Sequence, residues 1–398
     1  MNSRLSESMV MHRRSRVDPD HDAYFDGTLM IRQQAVPNYR VPLFESLAHR
    51  CRRLVMVASK ETTERALVQR DDHENLEVIR LPARRLGRGV ALIYWQQGLR
   101  ELVDEIAPNA IITEANPRFA DTATLQQYCR QRAVPFVGWG LGTTNFFNHG
   151  FKSIRGWRRT KTVQRFDSLI AYGSLAKQQY VEDCDIRPEN IYIAPNAAVD
   201  VRPEWDPTLR QPFAGDRPLS IMTIGRLIEN KELERLIDAA ERAKQCGMDV
   251  EVHYIGDGPF REELHRRAES VGVPATFWGH LEGDALAEVA MQRDLFVLPG
   301  LGGLAIQQSM AFGLPAIVAE ADGTERDLIR DNGWHVDSHN TDAIVEVIKR
   351  VFHDPDHLRQ KAIASYEIAR DQINVQSMAS RMIDAVNSTE RRLQAAAS

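Results

Sequence analysis

Two cations and three glycine-bearing turns are the residues of this chain best suited to hold an anion. The apolar run Leu219–Ile224 ends at Gly225, and Arg226 and Lys231 flank the turn that follows. Glycine permits a close turn, and two cations five residues apart reach one phosphate group from different sides. Taken alone, the same pair also reads as a solvated basic helix start. A second turn, Pro299–Gly303 (PGLGG), joins the apolar run Leu295–Leu298 to a helix expected over Leu304–Phe312 and closed by Gly313 and Pro315. Strand, glycine turn and helix N-terminus together make an anion-binding corner of backbone N–H groups. The third turn, IGDGP at Ile255–Pro259, is expected to form another wall of the same cleft, although turns favour these residues anyway. A GxGxxG followed by an acidic residue is absent, and so is GxxxxGK[ST]. A nicotinamide cofactor and a nucleoside triphosphatase are therefore disfavoured.

These turns need a sheet to present them. Apolar runs at Leu54–Ala58, Leu76–Leu81, Ala110–Thr113, Pro135–Gly138, Ser168–Tyr172 and Ile191–Ile193 alternate with amphipathic stretches at Gln96–Ile106, Thr122–Arg132 and Leu175–Glu182. The alternation resumes at Leu219 and continues to the run Ala316–Ala319, followed by helices at Thr341–Phe352, Asp356–Ala369 and Val375–Ala396. Strands alternating with helices predict parallel sheets covered on both faces, so the fold class is α/β. At 398 residues the chain is too long for one ordinary core. A proline-rich polar stretch, 201–217, is the expected linker. It separates a first domain at 24–200 from a second at 218–374. Residues 1–23 read as a disordered tail and 375–398 as a helical extension.

Composition narrows the function classes. A net charge of -5 does not point to nucleic acid. Four scattered cysteines without a CxxC suggest a reduced, cytoplasmic protein, and no apolar run is long enough to span a bilayer. No metal site is expected, since no Asp-x-Asp stands in a suitable turn. Lys152, Arg155, Arg158, Arg159, Lys161 and Arg165 cluster with Phe151 and Trp157. The cluster suits peripheral contact with an anionic membrane or an anionic acceptor, or is simply a solvated helix face.

Six segments in order, GRLIENK (225–231), IGDGP (255–259), FWGHL (277–281), DLFVLPG (294–300), GLAIQQSMAFGLPAIVAE (303–320) and TERDLI (324–329), resemble the second domain of the retaining, nucleotide-sugar-dependent GT4 glycosyltransferases (glycosyl transferases group 1). APNAAVD (194–200) resembles that family's segment before the linker. PNYRVPLFESLA (37–48) resembles a bacterial subgroup that builds surface polysaccharides and exopolysaccharides. The resemblance implies a GT-B fold: two Rossmann-like αβα domains facing across a cleft, with a C-terminal helix crossing back. It implies a UDP- or GDP-linked sugar as donor substrate and a glycan or lipid-linked saccharide as acceptor. Arg226 and Lys231 would clamp the departing diphosphate. Gly225, Asp257, Gly258, Gly302, Gly303, Leu304, Gln308 and Glu325 would line the donor site. Asn38, Tyr39, Arg40, Trp139 and His149 would lie on the acceptor side.

The chain departs from that family at two glutamates flanking the glycine corner, where it has Gly300 and Gln308. Gln308 keeps hydrogen-bonding capacity for a ribose, whereas Gly300 cannot replace an acid. Trp139, Gly140 and Leu141 stand where many members have a histidine. His149 either approaches the cleft or lies on the surface. Glu325 reads equally as a donor contact or as an acid at a helix N-terminus, and Tyr39 and Arg40 as an acceptor loop or a turn packed under a helix. Two rivals stay open: a nucleotide- or glycan-binding protein without catalysis, and a GT-B nucleotide-sugar epimerase.

Overall fold

The computed structural model describes residues 23–60, 75–87, 92–142, 154–337 and 339–398. In the first domain the chain order is β1 (Phe25–Arg32), α1 (Val41–Ala48), β2 (Cys51–Ser59), β3 (Leu76–Leu81), β4 (Ala83–Leu86), β5 (Ile93–Gln96), α2 (Leu99–Ile106), β6 (Ala110–Glu114), α3 (Thr122–Arg132), β7 (Phe136–Gly140), α4 (Ile154–Val163), β8 (Ser168–Ala171), α5 (Ser174–Cys184) and β9 (Ile191–Ile193). Seven of these strands form a parallel sheet in the order β3-β2-β1-β6-β7-β8-β9, and β4 and β5 pair as a separate antiparallel hairpin. β2, β6 and β7 are almost wholly buried, as strands covered by helices on both faces must be.

The second domain runs β10 (Leu219–Ile224), α6 (Glu234–Gln245), β11 (Val250–Ile255), α7 (Arg261–Ser270), β12 (Ala275–Gly279), α8 (Gly283–Ala290), β13 (Leu295–Leu298), α9 (Gly303–Ala311), β14 (Ala316–Ala319), α10 (Glu325–Leu328), β15 (Gly333–Val336), α11 (Thr341–His353) and α12 (Pro355–Asp371). Its six strands are ordered β12-β11-β10-β13-β14-β15, all parallel. Two apolar layers sandwich this sheet, one centred on α6 and α11, the other on α8, α9 and α12.

The final helix, α13 (Val375–Ala397), leaves the second domain and packs into the core of the first. Val375, Met378, Ala379, Met382, Ile383 and Val386 are fully buried there, the i, i+3, i+4, i+7 stripe of a helix with one apolar face. A capping box at Asn374 and Ser377 starts it at the crossing point. The proline-rich stretch between the sheets forms two short turns at Pro203–Trp205 and Pro207–Leu209. Its Trp205 is buried edge-on to Phe312 at 4.8 Å.

Three local expectations change. The sheet begins at β1, well before Leu54, where the first strand is read from sequence, because FDGTLMIR ends in an arginine that hides its strand character. Arg32 is fully buried, pairs with Asp121 at 2.6 Å and stacks on Phe119. Gln96 closes a strand rather than opening a helix, and α2 starts only after Gly98, which holds φ +78°. A further strand, β15, follows α10, where the short GWHV gives no periodicity to read.

Candidate functional site

In an open parallel sheet, ligands sit beyond the carboxyl ends of the strands, where the strand order reverses direction. In the second domain that point lies between β10 and β13, the two strands that lead into the Gly225 turn and the Pro299–Gly303 turn. The three glycine turns are nested. A Cβ on Gly256 would stand 2.0 Å from Gly225 O, one on Gly258 2.2 Å from Leu227 O, and one on Gly300 2.7 Å from Asn230 O and from Lys231 C. The Gly225 N–H bonds Ile255 O, and the Leu227 N–H bonds Asp257 O. Glycine is therefore required where one backbone lies directly on another.

Lys231 sits inside this nest. Its Nζ donates to Leu301 O at 3.0 Å, and a Cβ on Gly225 or Gly302 would approach that Nζ to 3.1 and 2.7 Å. Both glycines have positive φ, +126° and +151°. Burial pushes the Lys231 pKa below that of an ordinary lysine, against the pull of Asp322. Arg226 is its complement: exposed, with no hydrogen bond or ion pair to any described residue. Gly303 and Leu304 open α9, and their N–H groups, being in its first turn, have no intrahelical partner. The half-buried Lys231 ammonium thus lies at the corner that the α9 N-terminus closes, and the exposed Arg226 follows Gly225 directly in the chain.

The remaining expected residues divide. Asp257 is exposed, accepts from the Gly258 N–H at 2.8 Å and lies 3.9 Å from Arg261. Gln308 is half-buried, and its amide makes no hydrogen bond to a described residue. Glu325 is buried, and its two carboxylate oxygens accept from Ala321 N at 3.1 Å and Gly323 N at 2.9 Å. These two hydrogen bonds tie the carboxylate to the β14–α10 loop. Gly300, expected to be a position that merely lacks an acid, is instead pressed against the backbone of Asn230 and Lys231.

On the first domain, Arg40 is buried rather than presented. Its guanidinium donates to Asn196 Oδ1 at 2.6 Å and Tyr172 Oη at 3.0 Å, and lies over the Trp139 ring at 4.7 Å. Burial raises the Tyr172 pKa, with Arg40 opposing. Trp139 is buried as well, and its Nε1, like Asn38 Oδ1, has no hydrogen-bond partner among the described residues. Tyr39, 43% exposed, is the one side chain of the PNYR turn that reaches far into solvent. His149 lies outside the described residues, as do Phe151 and Lys152.

The two carboxyl edges meet. Asp327, on α10, accepts from Ser174 N at 2.6 Å at the start of α5, and a Cβ on Gly323 would strike Leu175. Behind the corner, Gln307 is fully buried. It accepts from Ala198 N at 2.9 Å and donates to Val199 O at 2.9 Å and Ile373 O at 3.1 Å. The sequence singles out Gln308, at the position of the resembled family's second glutamate, and gives no signal for Gln307, whose backbone partners lie far away in the chain. Gln307→Leu orphans these backbone groups at about 1–3 kcal/mol each, so the urea midpoint is expected to fall markedly. A midpoint equal to that of the parent would contradict this role.

Among the described residues no cluster of three or more His, Cys, Asp or Glu is placed to hold a metal, and no helix is long and apolar enough to cross a membrane. A separate hollow opens at the amino ends of the second sheet, where Arg217 pairs with Asp294 and Arg210 donates to the carbonyls of Met291, Phe312 and Gly313.

This geometry has solved counterparts. The structure of Anabaena Alr3699/HepE in complex with UDP superposes with a TM-score of 0.68 at 17% identity, covering 91% of this chain and 99% of that one. Sucrose-phosphate synthase from Thermosynechococcus elongatus superposes with a TM-score of 0.68 at 18% identity, covering 93% and 99%. The fold is GT-B. Within it, residues 208–367 match the family model "Glycosyl transferases group 1". The GDP-mannose-dependent alpha-(1-6)-phosphatidylinositol dimannoside mannosyltransferase of Mycobacterium tuberculosis is 29% identical over 210 residues, 50% of this chain and 53% of the relative. Sulfoquinovosyl transferase SQD2 of Arabidopsis thaliana is 33% identical over 111 residues, 27% of this chain and 20% of the relative. The chain therefore spans about half or less of these two curated relatives. The second GT-B domain, which carries the nested turns, holds the family match.

Proposed function

We propose that this GT-B protein is a retaining glycosyltransferase that moves a sugar from a nucleotide-diphosphate-sugar to a glycan or lipid-linked saccharide, in surface-polysaccharide or exopolysaccharide synthesis. The observation that carries the reading is the Lys231 ammonium set beside the α9 N-terminus in one glycine-built corner at the second sheet's switch point, with Arg226 exposed next to Gly225 in the chain. A departing diphosphate gains negative charge as the glycosidic bond breaks. Fixed cations and N–H groups stabilise that charge more than they stabilise the intact donor, which is what lowers the barrier. In a front-face reaction the leaving phosphate oxygen takes the acceptor proton, so the corner supplies the main electrostatic requirement. A GDP-mannose-dependent relative and a solved structure in complex with UDP support a nucleotide-linked sugar and leave the base to experiment.

A nucleotide-sugar donor favours a cytoplasmic site of action. The basic stretch at 152–165 supports peripheral contact with an anionic membrane face, with Trp157 62% exposed on α4. The absence of acids at Gly300 and Gln308 favours one second reading, a nucleotide-binding protein without transfer, and acceptor-dependent release of UDP or GDP separates the two. Titration calorimetry against both nucleotides tests the corner itself. Arg226→Ala is expected to weaken the preferred nucleotide roughly 10-fold or more, and added salt should reduce the difference. If neither nucleotide binds and Arg226→Ala changes nothing, the proposal fails.

A further inference from the structure

The first sheet also reverses its strand order, between β1 and β6. These strands pair from Leu29↔Ala110 to Arg32↔Thr113, so the crevice beyond them lies between the residues after Arg32 and the end of β6. Glu114 is the last residue of β6 and stands at that crevice. It is half-buried, and its Oε1 accepts from the Gln34 N–H at 3.2 Å. Its Oε2 has no hydrogen-bond partner among the described residues. Behind it, Arg32 is buried and bound to Gln96 Oε1 and Asp121 Oδ1, while its Nη1 is buried without a partner. The crevice therefore combines one committed and one uncommitted carboxylate oxygen with a fixed cation behind them.

The loop contacts Asp327–Ser174 and Gly323–Leu175 bring the carboxyl edges of both sheets to the same cleft. The first sheet's switch point thus opens toward the space occupied, on the proposed function, by the reacting sugar. A carboxylate oxygen in that position accepts hydrogen bonds from hydroxyls, and a saccharide acceptor presents little else. The second domain offers few competitors, since Glu325 is consumed by its own loop and positions 300 and 308 are Gly and Gln.

We propose that Glu114 is an acceptor-positioning residue whose free carboxylate oxygen holds a hydroxyl of the saccharide acceptor at the first sheet's switch point. The inference rests on the glycosyltransferase reading but concerns the opposite domain from the nucleotide corner. Glu114→Gln isolates it: the amide oxygen still accepts from the Gln34 N–H, while the second oxygen becomes an NH2 donor. With the full chain, UDP-glucose and GDP-mannose as donors and octyl hexosides as acceptor probes, the acceptor KM is expected to rise about tenfold or more. Nucleotide affinity, acceptor-independent donor hydrolysis and melting temperature are expected to match the parent.

An unchanged acceptor KM overturns the inference. So does an equal loss of donor hydrolysis, which would assign Glu114 to the donor sugar, or a fall in melting temperature that accounts for the whole defect. Saturation-transfer NMR of the octyl hexosides without donor separates this inference from the function it rests on. If the parent transfers nothing yet loses its glycoside signal on Glu114→Gln, the transferase reading fails and the saccharide site stands. Equal signals in parent and variant, or none from the parent, overturn the site.

Discussion

Lys231→Met is expected to lower acceptor-dependent turnover by about 10²–10³-fold, the effect of removing one preorganised donor aimed at developing charge. Methionine keeps the stem's length and apolar character, so the packing beneath Gly225 and Gly302 survives while the ammonium is lost. The parent chain also has a pH signature. Burial lowers the Lys231 pKa, so the residue loses its proton at a lower pH than an exposed lysine. Activity limited by this group is retained on the acid side and lost as pH rises through that pKa. Diphosphate binding favours the charged form and moves the loss upward in pH, so kcat/KM should decline before kcat does. A Lys231→Met variant with parental turnover and an unchanged melting temperature would remove Lys231 from the mechanism.

The second large effect is expected from Gly300→Glu, which supplies the acid that the sequence lacks relative to the family it resembles. Restored chemistry would raise turnover; the structure predicts the opposite. The new Cβ meets Asn230 O and Lys231 C at 2.7 Å and Lys231 O at 2.8 Å, and these are backbone atoms that cannot rotate away. Overpacking of this kind costs about 1–3 kcal/mol, equivalent to roughly 2–12 °C in melting temperature for a domain of this size. Relief requires the Glu229–Lys231 turn to move, which carries the Lys231 ammonium off the corner. Thermal melting and nucleotide calorimetry on one preparation check both consequences. A variant that melts like the parent and turns over faster would show that the corner tolerates the acid, and would recast Gly300 as a simple loss.

These expectations depend on where sequence and structure share the information. Strands such as β10, β11, β13 and β14 are short, largely apolar runs bordered on at least one side by glycine or proline. Their limits follow from local composition because a strand covered on both faces is mostly apolar. The corner was legible for a similar reason: glycine spacing after a strand is a local property, and Lys231 and Arg226 lie within six residues of Gly225. β1 was not legible, because its terminal Arg32 is neutralised by Asp121, 89 positions away.

By itself, then, the sequence determined an α/β chain with a glycine-built anion corner and a pair of cations beside it. Only the tertiary structure decided which side chains are free. It turned Gln307 inward, left Gln308 half-buried without a hydrogen bond to a described residue, and tied Glu325 to its own loop. It buried Arg40 against Tyr172 and Asn196, pressed Gly300 onto Asn230 and Lys231, and set Glu114 at the first sheet's switch point with one oxygen unclaimed by any described residue. The physical reason is common to all of these. Whether a polar group is available for chemistry depends on which partners have already claimed its hydrogen bonds, and most of those partners come from strands and loops distant in the chain.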